Sequence, residues 1–332
     1  MTYSIGCDVS KAKLDIAVIN EKQEIQCSFQ VLNHPQGFLL LREKLKPYQE
    51  SSVILEATSH YHLGAAFTLT EAGYVVHVIN PLITKKFASS GIRKTKTDKV
   101  DAKLLATIGL LESSLKPWME SRKTLEVKRL SQLLGKLGKD QRSYVQRLHQ
   151  LEELQPLCQL DVQMEIDSLQ IIIQAIALQI DILEKRLVSS LNEETTILSS
   201  IPGVGKASAA KIAAELGDVS RFSDRDHVTA FSGLDPSKKE SGTSIHGRSC
   251  ISKRGSPELR CVLGQAAWGV MMHNEVFKAY AEKKRAEGKH YYSILVSVAK
   301  KLLVIMYSLL KNKQLYDLAY HKLHATMGLT SV

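Results

Sequence analysis

Residues 95–103 read TKTDKVDAK, two carboxylates three positions apart in a segment otherwise rich in lysine. If the stretch opens a helix, that spacing puts Asp98 and Asp101 on one face, where like charges repel unless a cation lies between them. A divalent metal is one such cation. The plainer account is a solvated helix start, with Thr97 as N-cap and Asp98 at the positive end of the helix dipole. Two further acids bear on the choice. Asp8 closes the first strand pattern and Glu56 closes SVILE, and open α/β sheets build their sites at the carboxyl ends of strands. If those strands are neighbours, four carboxylates gather with no His or Cys among them, a donor set suited to Mg2+ or Mn2+. Two such ions about 4 Å apart stabilise both the entering and the leaving oxygen of a phosphodiester displacement. Taken singly, Asp8 is also readable as a turn residue and Glu56 as a surface charge.

A second candidate lies in residues 233–260, GLDPSKKESGTSIHGRSCISKRGSPELR, where six cations face three acids. Ser241, beside Gly242, places a small hydroxyl on a flexible backbone among Lys238, Lys239, Arg248, Lys253 and Arg254. It is either a solvated Ser–Gly turn or a serine activated to attack phosphorus. His246 is close enough in sequence to assist a proton transfer, or is an incidental loop histidine. Further along the chemistry is backbone binding. Gly203, Gly205 and Lys206, in IPGVGK between two helical patterns, would aim free N–H groups at a phosphate in a helix-hairpin-helix layout. From Lys85 to Lys103 seven cations, Lys94 and Lys96 among them, stand against two acids and would track phosphates in a salt-dependent way. KKRAEGKHYY, residues 283–292, mixes charge with aromatics; its Tyr291–Tyr292 pair either stacks on bases or belongs to the core.

The elements that must position these groups fall into three regions. Residues 1–118 alternate strand and helix signals. YSIGCDVS, KLDIAVINE and EIQCSFQVLN read as three strands, followed by alternating helices and strands, which makes an α/β domain with a mixed sheet. Residues 119–195 carry two heptad seams, Val127 to Leu151 and Val162 to Leu187, separated by Pro156. They form either an internal helical hairpin or a surface for self-association. Residues 196–332 are mostly helical. The fold class is thus α/β plus all-α. At 332 residues and 44% hydrophobic content the chain buries a core in two or three domains. Its net charge of +10 suits a polyanionic partner. No continuous apolar run of roughly 18 residues is present, which argues against a membrane. Five cysteines without CxxC spacing fit a reducing cytoplasm.

IGCDVSK, LEAT, KTDKVDAKLLA, IPGVGKASAAKIAAELGDVSRF, FSGLDPSKKESG and ISKRGSPELR, in that order, together resemble the DEDD transposases of insertion sequences, relatives of Piv-type DNA invertases that are guided by a bridge RNA. The resemblance covers nearly the whole chain. It implies a RuvC-like ribonuclease H fold for residues 1–118, with Asp8, Glu56, Asp98 and Asp101 as the metal-binding tetrad. It implies a transposase domain in residues 196–332 whose Ser241 attacks DNA to give a 5′-phosphoserine, with Ser244 the nearest alternative hydroxyl. It further implies dimerisation through coiled-coil helices in 119–195, a synaptic homotetramer that brings the acids and the serine together across subunits, donor and target DNA, a structured noncoding guide RNA, and a place in the bacterial cytoplasm at the nucleoid. The competing expectation is a metal-dependent Holliday-junction resolvase or nuclease that forms no covalent intermediate.

Overall fold

A computed structural model of the chain describes residues 3–89, 98–112, 114–237 and 250–319. It divides into two compact units, Met1–Glu120 and Ser121–Val332.

The first unit is built on a five-stranded sheet of β1 (Tyr3–Val9), β2 (Lys13–Asn20), β3 (Ile25–Leu32), β4 (Ser52–Glu56) and β5 (Val75–Ile79), in the order β3-β2-β1-β4-β5. β1 and β2, and β2 and β3, run antiparallel, whereas β1, β4 and β5 run parallel. This is the mixed sheet the sequence pattern predicts. The central strands read as near-continuous apolar runs because both of their faces are covered. β3 carries Gln26, Ser28 and Gln30 and lies at an edge, mostly exposed.

One face packs Ile5, Cys7, Leu14, Ile16, Val53 and Leu55 against α1 (Pro35–Leu45) and α2 (Leu63–Glu71), through Leu41, Leu45, Ala65 and Leu69. α1 has proline at its first position and His34 as its cap, the ring Nδ1 accepting from the Gly37 N–H at 3.2 Å. The opposite face carries α4 (Asp98–Leu111), whose Leu105 and Ile108 pack on Ile54 and Ile79. α3 (Pro81–Ser89) adds Ile83 and Phe87 to the same cluster.

The second unit is helical. α5 (Arg122–Cys158) and α6 (Gln163–Ser190) form a long hairpin, and the two heptad seams meet inside it. Val127, Leu134, Ile166 and Leu187 are buried there, while Leu130, Ile180 and Leu183 are partly covered. Pro156 does not divide the helices, because α5 runs through it to Cys158 and turns at Gln159, which is left-handed at φ 52°. So close to an exposed end, water can replace the single hydrogen bond that proline deletes.

The remaining core gathers α7 (Asn192–Ser199), α8 (Lys206–Leu216), α9 (Arg225–Ser232), α10 (Pro257–His273), α11 (Glu275–Ala286) and α12 (Tyr291–Asn312). α6 and α12 are each long and apolar enough to cross a membrane by length and composition, although neither is a continuous apolar run. α12 spends its apolar side on this core through Ile294, Val298, Leu302 and Met306.

Candidate active site

β1 runs one residue past Asp8, to Val9, and the adjacent parallel strand β4 ends on Glu56. Their register pairs Gly6 with Ile54 and Cys7 with Leu55, so the two acids are the next residue on each strand. Alternation puts Ser4, Gly6 and Asp8 on one face of β1, and Ile54 and Glu56 on the same face of β4. That face is the one α4 covers.

Two glycines set how closely and in which direction the helix lies. A Cβ on Gly6 would stand 1.9 Å from the Ala102 carbonyl oxygen, and one on Gly109 would stand 2.5 Å from Ser4 Oγ and 2.6 Å from Ile54 Cδ1. Residues 102–106 therefore lie over Gly6 and residue 109 over Ser4, so α4 runs against the direction of β1. Its first turn, holding Asp98 and Asp101, extends past Gly6 towards the end that carries Asp8 and Glu56. Asp8, Glu56 and Asp101 are each half-buried; the side chain of Asp98 is not among those described. Among the described residues no three His, Cys, Asp or Glu side chains already form a metal-ligating group. The acids carried by this end of the sheet and by the first turn of α4 are carboxylates alone, a donor chemistry suited to Mg2+ or Mn2+. Ser244, His246 and the candidate residues Lys94, Lys96, Lys238, Lys239, Ser241 and Arg248 lie outside the described residues.

What is described of the serine segment is its base. β6 (Pro236–Ser237) pairs antiparallel with β7 (Cys250–Ile251). Below that pair, the Ser252 N–H donates to the Asp235 carbonyl at 2.8 Å and the Lys253 N–H to the Gly233 carbonyl at 3.1 Å. Arg260 Nη1 donates to the carbonyls of Ser232 and Gly255 at 3.0 and 2.9 Å. Gly255 is pressed so closely that a Cβ would sit 1.9 Å from the Phe231 carbonyl oxygen. Both ends of the segment bearing Ser241 are thus anchored to one braced stem, which leaves Lys253 and Arg254 exposed.

In the glycine turn the two glycines do different work. Gly203, at φ +96°, packs on α10, where a Cβ would meet the Gly269 carbonyl oxygen at 2.5 Å. Gly205 is open and caps α8 without any side-chain bond, and both it and Lys206 are exposed. Among the described residues no side chain caps the first N–H groups of α8, which open beside the exposed Lys206, as a phosphate site requires.

A profile described as transposase of the IS116/IS110/IS902 family matches residues 195–282, and the transposase profile for the IS110 DEDD type matches residues 5–155. The chain belongs to the DEDD transposase family of insertion sequences. It is 29% identical to the pilin gene-inverting protein of Moraxella bovis over 97% of this chain and 99% of that one. Over 40% of its length and 37% of the relative's, it is 31% identical to the transposase for insertion sequence element IS1111A of Coxiella burnetii. Among solved structures, T. thermophilus RuvC in complex with a Holliday junction substrate matches 36% of this chain and all of its own at 15% identity, with a TM-score of 0.30.

Within this family member, two residues at the acidic end escaped the sequence reading. Asp15 of β2 lies directly opposite Asp8 in the ladder and on the same face, and it is only 6% exposed. Its carboxylate accepts from Gln30 Nε2 at 2.8 Å and pairs with Lys13 at 3.3 Å. Burial first, and then the charges of Asp8 and Asp15, push the Cys7 thiol far up, so negative charge accumulates at this strand end. Asn33 Nδ2 donates to the carbonyls of Ser10 and Tyr61 at 2.8 and 3.1 Å, clamping the turn after Asp8 to the loop after Glu56. Alternation along KLDIAV could have raised Asp15. No local signal marks Asn33.

In the second unit Glu215, in the last turn of α8, is 2% exposed; its Oε2 accepts from the Ser256 hydroxyl at 3.0 Å, and its Oε1 has no hydrogen-bond partner among the described residues. Burial raises its pKa, while Ser256 and Lys128 pull less strongly the other way. Because the folded value lies above the unfolded one, the cost of burying the charge is absent below about pH 4 and grows as pH rises to the folded value. Glu215→Gln is therefore expected to melt with the wild type at pH 4 and to exceed it by about 1 kcal/mol at pH 7. Calorimetric melts at the two pH values measure the difference.

Proposed function

We propose that the chain is a DNA transposase and recombinase whose first unit has the RuvC-like ribonuclease H fold. In this reading Asp8, Glu56, Asp98 and Asp101 hold Mg2+ or Mn2+, and Ser241 is the nucleophile. The observation that supports the proposal is the placement of acids at one end of the sheet and in the first turn of the helix over it. Two adjacent parallel strands carry a carboxylate at or next to their last residue, and the helix laid over that same face begins with two more. The strand order β3-β2-β1-β4-β5 with β2 reversed supports the fold assignment, and the match to the DEDD transposase profile over residues 5–155 supports the roles.

Bound metal would supply positive charge to a phosphodiester undergoing displacement. The chain's own residues would do the rest. Ser241 Oγ attacks phosphorus and the P–O3′ bond breaks. The serine oxygen, having given up its proton, is left joined to the 5′-phosphate, and the departing 3′ oxygen takes up one proton as a free hydroxyl, so that none is gained or lost overall. The braced stem at residues 231–237 and 250–256 would hold the serine against recoil. Gly203, Gly205 and Lys206, with Lys94, Lys96, Lys238, Lys239, Arg248, Lys253 and Arg254, would grip donor and target DNA by its phosphates. A structured guide RNA would choose the sequences. That choice is consistent with the charge of +10 and with the backbone contacts, which carry no base information.

Incubated with Mg2+ and a DNA substrate, the wild type is expected to leave a protein–DNA adduct on a denaturing gel, absent with Ser241→Ala. Cleavage without an adduct in the wild type would replace this reading with that of a metal-dependent nuclease or resolvase. Mixing Ser241→Ala chains with Asp8→Asn chains then asks whether the two half-sites come from different copies; if they do, the mixture recovers activity that neither variant has alone.

Assembly would use a second stripe of α6. With its first seam folded onto α5, the helix still shows Met164, Ile171, Leu178 and Ile182 at 79, 67, 59 and 47% exposure, at heptad-related spacing. A homodimer would bury this stripe, and two dimers would make the synaptic tetramer. Replacing Ile171 and Leu178 together with Gln is expected to halve the mass seen in sedimentation; an unchanged mass would rule the stripe out.

A further inference from the structure

Tyr291 and Tyr292, in the first turn of α12, are 45% and 69% exposed, so neither is a core residue. His290 caps that helix, its Nδ1 accepting from the Tyr292 N–H at 3.3 Å. Its ring stacks on Tyr292 with centroids 5.7 Å apart and planes at 24°, and Tyr291 meets Tyr292 edge-on at 5.6 Å and 71°. Three adjacent rings are thus held in a fixed arrangement on a rigid helix end. The approach to them is basic. α11 finishes with Lys283, Lys284 and Arg285, and Gly288, at φ +73°, turns the chain into Lys289 and His290. The turn is closed by bonds from the Gly288 N–H to the Arg285 carbonyl and from the Lys289 N–H to the Lys284 carbonyl, at 2.9 and 3.2 Å. Lys283, Arg285, Lys289 and His290 are all exposed. Exposed rings are ordinary when scattered singly. A group of three beside a cluster of cations is not scatter.

We infer that this corner, residues 283–292, is a stacking platform for unpaired nucleobases, with the neighbouring cations holding the phosphates that link them. The inference rests on the proposed action on nucleic acid and gives it a specific form. Ring faces recognise base faces, which are free in a single strand and covered by neighbours in a duplex. Stacking of this kind tolerates any sequence. Lysine and arginine alone would bind paired and unpaired strands alike. The shared chemistry is the unpaired base, offered either by a melted DNA strand or by a single-stranded stretch of RNA.

The test uses the full chain and oligonucleotides of about 12 phosphates as single-stranded DNA, single-stranded RNA and a duplex, with affinity read by fluorescence anisotropy at fixed salt. Replacing both tyrosines with Leu keeps the apolar surface and removes the π-faces. It is expected to weaken binding of a single strand about tenfold or more while duplex binding stays within about twofold. The Phe pair is expected to bind as the wild type does, which also controls for folding. The DNA and RNA arms show which strand the platform prefers. Unchanged single-strand binding by the Leu pair, or an equal loss on the duplex, overturns the inference alone. Failure of the wild type to bind any of the three overturns the proposed function with it.

Discussion

Asp8→Asn is expected to reduce DNA strand cleavage by about a thousandfold or more, roughly 4 kcal/mol of transition-state stabilisation, without weakening the fold. The amide keeps the shape of the carboxylate but not its charge, and in the proposed site that charge holds a cation against the scissile phosphate. The stability side distinguishes this from simple damage. Asp8 faces Asp15 across the antiparallel ladder, and like charges directly opposite destabilise a sheet. Removing one is expected to stabilise the fold by a few tenths of a kcal/mol and so to raise the melting temperature slightly. Single-turnover cleavage and a thermal melt on the same preparation check both halves. Retained cleavage would exclude Asp8 from the chemistry, and a large drop in melting temperature would mean that its role is structural.

Gly6→Ala is expected to be the most disruptive single methyl in the first unit. The added Cβ would lie 1.9 Å from the Ala102 carbonyl oxygen and 2.4 Å from the Ala106 nitrogen, both backbone atoms that no rotamer change can move. α4 must lift away from β1, at an expected cost of about 3 kcal/mol and a melting temperature lower by roughly 10 °C. Because α4 carries Asp98 and Asp101, cleavage falls with it even though no acid has been touched. Gly135→Ala is the control: a Cβ there meets nothing within 4 Å, and in the interior of α5 alanine is expected to stabilise by about 0.5–1 kcal/mol. Melts that put Gly6→Ala within about 0.5 kcal/mol of wild type would show that α4 is not seated on β1 as described.

Much of the first unit was legible in the residues because its signals are local. Strand alternation and the proline and histidine that open α1 each act within a few positions, and those elements fall where the signals put them. The heptad seams were legible too, but not their partner. A seam states that an apolar stripe will be covered and leaves the covering element open. Here α5 and α6 cover each other, and a second stripe on α6 stays exposed. Tyr291 and Tyr292 were open in the same way, since an aromatic pair at a helix start has no local mark of burial.

By itself the sequence determined which acids lie at or near the strand ends, where the basic segments lie, and the ordered motifs through which the family is recognised, because these are properties of residue type and spacing. Only the tertiary structure decided that Asp8 and Glu56 sit side by side, that α4 runs against β1 with its acidic turn at their end, and that Asp15 and Asn33 brace that end. Those facts depend on strand order and on two glycine contacts that bring in residues roughly a hundred positions away in the chain. Pairing over such distances is set by how well whole faces pack together, which no local pattern encodes.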